Sequence, residues 1–190
     1  MSSSQPLVVL LAGLSGSGKS TFAPYLAKEM SATVLDTDDL FDVPRAAVGE
    51  ALGIGPRVVD DPRWRDEVHG RLINLFLAMA STAATVEHPV IAVSPWTGFR
   101  KDPSLFDASQ SGLSANFQWV IAIGPPEMRY QRICERGREM DATKIASGPM
   151  PEPELSTPRG AITVNLGGTL EAYPDIAHNI AVQLQAARDR

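Results

Sequence analysis

Close to its start the chain carries six apolar residues, Leu7–Ala12 (LVVLLA), that stop on a glycine-rich stretch, Gly13-Leu14-Ser15-Gly16-Ser17-Gly18-Lys19-Ser20-Thr21. Apolar residues then return at helical spacing, at Phe22, Tyr25, Leu26 and Met30. A continuous apolar run of this length predicts a strand buried on both faces. The glycines predict a tight turn, and Lys19–Met30 a helix, with Pro24 in its first turns where a missing N–H costs least. A strand covered on both faces requires a sheet with helices on either side, so this segment already restricts the chain to the α/β class.

The remaining residues repeat that alternation. Strands are expected at 33–35, 90–93, 117–123 and 161–166, with helices at 45–52, 62–85, 103–109, 125–138 and 174–187. Asp61 is the expected N-cap and Pro62 the first residue of the longest helix, with Val68, Leu72, Leu75, Phe76 and Met79 on its apolar face. Residues 94–101 read as a loop. Residues 141–159 carry four prolines and no clear period, which predicts a functional flap or mobile segment. The expected architecture is a three-layer α/β sandwich of five parallel strands in one domain, 1–190, with a lid over about 138–159.

The glycine stretch fits G-x-x-x-x-G-K-[ST], a P-loop. Its glycines let the backbone present a row of N–H groups to phosphate oxygens, and the positive end of the next helix points at the same anion. Gly13, Ser15, Gly16, Ser17, Gly18, Lys19, Ser20 and Thr21 are therefore the candidate nucleotide-binding residues. Lys19 is placed to reach the β- and γ-phosphates and the Ser20 hydroxyl to ligate Mg²⁺, which implies ATP and Mg²⁺ as cofactors.

Asp36-Thr37-Asp38 follows the second strand, at the carboxyl edge where parallel sheets bind ligands. Asp36 is the candidate near the metal, and Asp38 the candidate that accepts a proton from an attacking hydroxyl. One of the two carboxylates has the alternative of capping the next helix. Further on, Arg132 and Arg136 stand four apart on one helix face, a spacing that suits two guanidiniums clamping phosphates, against the alternative of pairing with Glu135 and Glu139. The candidate catalytic set is Lys19, Asp38, Arg132 and Arg136, and Arg132 is also counted with the nucleotide-binding residues.

A formal net charge of −5 argues against a nucleic-acid partner, which selects for a basic face. The N-terminal apolar run is too short and wrongly flanked for a signal peptide or membrane span, and Met1–Gln5 reads as a frayed end. The single cysteine, Cys134, excludes an internal disulfide, fits a cytoplasmic protein, and is expected as a small buried side chain on a helix. His69 and His88 are isolated, without metal-ligand spacing.

With these residues the chain resembles the small P-loop kinases of metabolites: gluconate kinase, shikimate kinase and, close by, adenylylsulfate kinase. Asp36-Thr37-Asp38 is similar to the D-[ST]-D of shikimate kinase and the D-G-D of gluconate kinase. Asp60-Asp61-Pro62-Arg63-Trp64 resembles the stretch that opens a substrate-side helix in gluconate kinases, and Arg132 and Arg136 resemble the family's lid-flanking arginines. Ser94-Pro95-Trp96 resembles the I-S-P-[FY] segment of adenylylsulfate kinase instead, and the substrate motifs of adenylylsulfate and shikimate kinases are absent. The resemblance implies the strand order 2-3-1-4-5 and ATP-dependent transfer of phosphate to an alcohol group of a small polar metabolite, such as a sugar acid. It places the acceptor among Asp38, Arg65, Ser94, Trp96 and Arg100, with Trp64, Phe99 and Lys101 nearby. An antibiotic- or nucleoside-modifying kinase or an adenylylsulfate kinase-like enzyme is the alternative, ahead of a nucleotide-dependent switch or a nucleic-acid end kinase. The expected partners are ATP and the small hydroxyl substrate, without nucleic acid or membrane, for a monomer or homodimer.

Overall fold

β1 (Leu7–Ala12) is buried along its whole length, and its side chains divide by parity. Leu7, Val9 and Leu11 join one core; Val8, Leu10 and Ala12 join the other. Strand side chains alternate between faces, so a strand with no polar position must be covered on both. The computed structural model describes residues 5–151 and 153–188, without the side chains of Pro56, Arg57, Arg65, Asp66 and Met140. All of the expected frayed end but Gln5 lies outside the described residues.

β1 is the central strand of a five-stranded parallel sheet of order β2-β3-β1-β4-β5. Its partners are β2 (Thr33–Asp36), β3 (Val90–Val93), β4 (Asn116–Ile123) and β5 (Ile162–Asn165). One core lies under α1 (Lys19–Met30) and the C-terminal helix α8 (Tyr173–Arg188), through Phe22, Leu26, Tyr173, Ile180 and Leu184. The other lies under α2 (Thr37–Ala51) and α3 (Gly70–Ala83), through Phe41, Phe76, Leu77 and Ala80. Burying each large apolar side chain of this kind stabilises the fold by roughly 1.5–3 kcal/mol.

Four expectations change. α2 begins at Thr37, straight after β2, because the Asp36 carboxylate caps it by accepting from the Asp38 N–H at 2.9 Å. Residues 94–101 are not all loop, since Thr97–Lys101 form a short helix, α4, followed by α5 (Pro103–Gln110). Pro62 does open the long helix, but Trp64–His69 form a π-turn before α3, and the buried stripe of α3 is Phe76, Leu77, Ala80 and Ser81. Leu75 and Met79 face outward, 51% and 38% exposed. The helix is apolar on more than one side, and packing against the sheet selects the stripe. Cys134 is exposed on α6 (Pro126–Arg136), beside Tyr130, rather than buried.

The segment after α6 is ordered into a turn at Glu139–Asp141 and a short helix, α7 (Ala142–Ser147). Beyond α7 an irregular strap crosses back to α4. There the Arg100 carbonyl accepts from the Ser156 N–H at 2.9 Å and from its hydroxyl. No helix among the described residues is long and apolar enough to cross a membrane.

Candidate active site

At the carboxyl edge of the sheet the P-loop joins β1 to α1. Gly16 and Gly18 hold φ at +77° and +92°, a region that L side chains avoid. Space enforces glycine as strongly as dihedral angle does. A Cβ on Gly16 would collide with the Arg129 carbonyl, and one on Gly18 would lie 2.9 Å from the Tyr173 hydroxyl and 3.0 Å from an Arg132 nitrogen. Gly18 is the N-cap of α1, and no side chain among the described residues makes a cap hydrogen bond there. The first N–H groups of the helix are thus left to an external acceptor, the arrangement that binds phosphate.

Lys19 is half-buried. Desolvation pulls its ammonium below the ordinary lysine value, Asp36 and Asp38 work against that shift, and the charges of Arg136 and Lys144 add to it. Desolvation pushes the Asp36 carboxyl above its ordinary value, against hydrogen bonds from the Asp38 N–H and the Ser20 hydroxyl. Asp36 therefore caps α2 and also meets Ser20. One carboxylate and one hydroxyl in contact, facing a phosphate loop, fit Mg²⁺, which takes few protein ligands and keeps most of its waters. No group of three or more His, Cys, Asp or Glu side chains that could hold a metal occurs among the described residues.

Beside the loop lies a cleft of about 570 Å³. Ser15, Lys19, Asp36, Asp38, Ser94, Trp96 and Arg136 line it, so seven of the candidates converge on one space. The Asp38 carboxylate, 35% exposed, accepts from Arg138 at 2.8 Å. Ser94 is buried just after β3, and its hydroxyl has no hydrogen-bond partner among the described residues. Trp96 sits at φ +51°, an unusual conformation for so bulky a residue. It is held there by stacking on Phe76 and Phe99 at 5.5 and 5.7 Å, and by its indole N–H bonding to the Ala92 carbonyl.

Arg132 reaches the loop from the other side, donating to the Gly16 carbonyl at 3.4 Å and the Leu166 carbonyl at 3.2 Å. Arg136 is gripped by Asp141, with Nε and Nη2 both 2.7 Å from one carboxylate oxygen. Arg100 does not line the cleft. It is buried, and its Nε donates to the Ser156 carbonyl at 3.2 Å, tying the strap to α4. Lys101 is exposed at the end of α4, Trp64 is buried away from the cleft lining, and the Arg65 side chain lies outside the described residues.

The cleft also contains Arg45, Asn74, Asp141 and Lys144, which sequence reasoning passed over, His69, which it read as isolated, and Asp60 from the stretch that resembles the substrate-side helix start of gluconate kinases. Arg45 pairs with Asp42 at 2.6 Å and stands seven residues after Asp38, so a helix begun at the Asp36 cap would have put both on one face. His69 is drawn below its ordinary value by desolvation and by Arg45. Asp141 and Lys144 are an i,i+3 pair, a signal lost because the surrounding segment shows no period.

Comparison with known proteins agrees with this architecture. An APS kinase from Mycobacterium tuberculosis, crystallised with AMPPNP and APS, aligns at 17% identity and TM-score 0.62, over 95% of this chain and 98% of that one. A gluconokinase from Sinorhizobium meliloti aligns at 19% identity and TM-score 0.56, over 96% and 95%. A shikimate kinase from Acinetobacter baumannii, solved with shikimate, aligns at 16% identity and TM-score 0.52, over 96% and 94%. Identities this low establish a shared P-loop kinase fold. No curated protein is significantly similar in sequence. The model of an AAA domain family, AAA_33, matches residues 8–147 and so takes in the P-loop, the Asp36–Asp38 pair, the cleft and α6; the chain belongs to that family.

Proposed function

We propose that this protein is a phosphotransferase that moves the γ-phosphoryl group of ATP to a hydroxyl of a small polar metabolite. The observation that carries the reading is that Lys19 and Asp38 line one cleft of about 570 Å³ at the carboxyl edge of the sheet. The loop and Lys19 bind the phosphates, and Ser20 with Asp36 would hold Mg²⁺, which supplies charge neutralisation between phosphates when bound. Asp38 orients the acceptor hydroxyl and takes its proton as the acceptor oxygen bonds to the γ-phosphorus and the bridge to the β-phosphate breaks. Arg136 stabilises the charge on the moving group. Arg132 holds the loop in shape through the Gly16 carbonyl and reaches toward the nucleotide.

The acceptor wall combines Ser94, Asn74 and Thr97 with the Trp96 face and Ile73, which suits a compact polyhydroxyl molecule with one apolar side. The net charge of −5 supports an acceptor other than nucleic acid, and the free thiol of Cys134 suits a reducing compartment such as the cytoplasm.

The test is an ATP-consumption screen over sugar acids, polyols, nucleosides and aminoglycosides. Turnover with any hit is expected to fall by about 10²-fold or more in Asp38→Ala while nucleotide binding persists. Normal turnover in that variant would remove Asp38 from the chemistry. Normal ATP use in Lys19→Ala would overturn the whole assignment.

A further inference from the structure

Among the described residues three glycines lie within α-helices: Gly49 of α2, Gly70 of α3 and Gly98 of α4. Glycine weakens a helix relative to alanine, so each position calls for a physical reason. Gly49 has one, because a Cβ there would collide with the Gly55 carbonyl. Gly70 and Gly98 do not. Neither has a positive φ, and a Cβ on either would meet no described atom within 4 Å. What the two share is position, since both line the cleft. Gly70 also follows directly on the π-turn Trp64–His69, a kind of helix interruption that gathers at functional sites.

The wall that carries these glycines is uncharged. Beside them, α3, α4 and α5 give the cleft Ile73, Asn74, Thr97, Phe99 and Leu105, none of them ionisable. The charged lining comes from other elements and is matched in sign. Lys19 has Asp36 and Asp38 close by, Arg136 and Lys144 share Asp141, and Arg45 pairs with Asp42. Arg100 and Lys101, expected near the acceptor, do not line the cleft. One polar group on this side still calls for a ligand. Ser94 is 1% exposed and lines the cleft, and its hydroxyl has no partner among the described residues. Leaving a buried hydroxyl unbonded is costly, and a molecule in the cleft would remove that cost.

We propose that the acceptor is an alcohol with an uncharged apolar arm the size of an aromatic ring, seated against Gly70, Ile73, Gly98 and Leu105. Gly70 and Gly98 are specificity-determining residues, kept free of side chains so that the arm can enter. Ser94 supplies the hydrogen bond that orients the molecule between this wall and Asp38. The inference rests on the phosphotransferase reading and names the apolar side of its acceptor.

Ligand-observed NMR on the protein saturated with MgADP reads the arm directly, with phenyl β-D-glucopyranoside, methyl β-D-glucopyranoside and gluconate as probes. The phenyl glucoside is expected to bind about tenfold or more tighter than the other two, as for burial of one ring. Gly98→Leu and Gly70→Leu should each weaken it by about tenfold or more, and Gly98→Ala by a smaller factor in the same direction. Both glycines are exposed at helical positions, so these variants should melt at or above the wild type, with Mg-AMPPNP affinity within about twofold of it. Where Mg-AMPPNP binds, three outcomes overturn the arm and leave the phosphotransferase reading standing: no binding of the phenyl glucoside, binding of gluconate or the methyl glucoside as tight as that of the phenyl glucoside, or no loss in any glycine variant. A wild-type protein that binds neither MgADP nor Mg-AMPPNP overturns that reading and this inference with it.

Discussion

Gly18 holds φ at +92° with the Tyr173 hydroxyl and Arg132 packed where a Cβ would go. Gly18→Ala should therefore cost about 1–3 kcal/mol in stability and at least tenfold in nucleotide affinity, read by thermal melting and titration. Lys19 supplies a pH signature. Burial holds its folded value below the ordinary 10.5, so between that value and 10.5 the unfolded chain carries more protons than the folded one. Stability of the ligand-free protein should rise with pH through that window as the buried charge is relieved. In Lys19→Met that rise should be missing, and the variant should melt above the wild type at neutral pH while failing to bind nucleotide. A lower melting temperature would show that its pairing with Asp36 and Asp38 outweighs desolvation.

At the scale of the element, Asp36 caps α2 and is also the carboxylate proposed for Mg²⁺, and two substitutions divide the roles. Asparagine caps a helix as well as aspartate does, and alanine does not. Asp36→Ala should be about 1 kcal/mol less stable than Asp36→Asn by urea unfolding. Both should lose the Mg²⁺ dependence of ATP binding. Equal stability would mean that the cap seen at 2.9 Å carries no weight in α2. Arg100 has the converse position, as a structural residue in a place that suggests substrate. Arg100→Ala should cost about 2 kcal/mol through the lost bond to Ser156 and lost packing, with nucleotide affinity unchanged.

For the whole molecule, the P-loop, the Asp36–Asp38 pair and the cleft all lie at one edge of the sheet, so a bound nucleotide ties α1, α2 and α6 together. Saturating Mg-AMPPNP at 100 times its dissociation constant should add about 2.7 kcal/mol. For a chain of this size that raises the melting temperature by about 5–10 °C, measured by calorimetric scanning. The gain should vanish in Lys19→Met. The segment after α6 takes part at this scale too, because Arg138 meets Asp38 across 100 residues and Ser156 meets Arg100 across 56. These contacts hold the segment after α6 against α2 and α4.

The features written in contiguous residues were legible beforehand. The apolar run into Gly13, the loop to Thr21, the Asp36–Asp38 pair and the Pro62 helix start each carry their physics within a dozen residues, and the structure keeps all four. Parallel order across the sheet followed from the resemblance and stands as 2-3-1-4-5. Tertiary structure decided what local pattern left open. It chose the buried stripe of α3 among apolar alternatives, turned Arg100 onto the strap, left Cys134 exposed, and brought Arg45, Asp60 and Lys144 into the cleft. Each of these outcomes depends on pairings between distant segments, whose energies come from packing and desolvation that exist only once the sheet has assembled. The sequence determined the P-loop, through backbone geometry that only glycine allows; the fold determined which charges surround it.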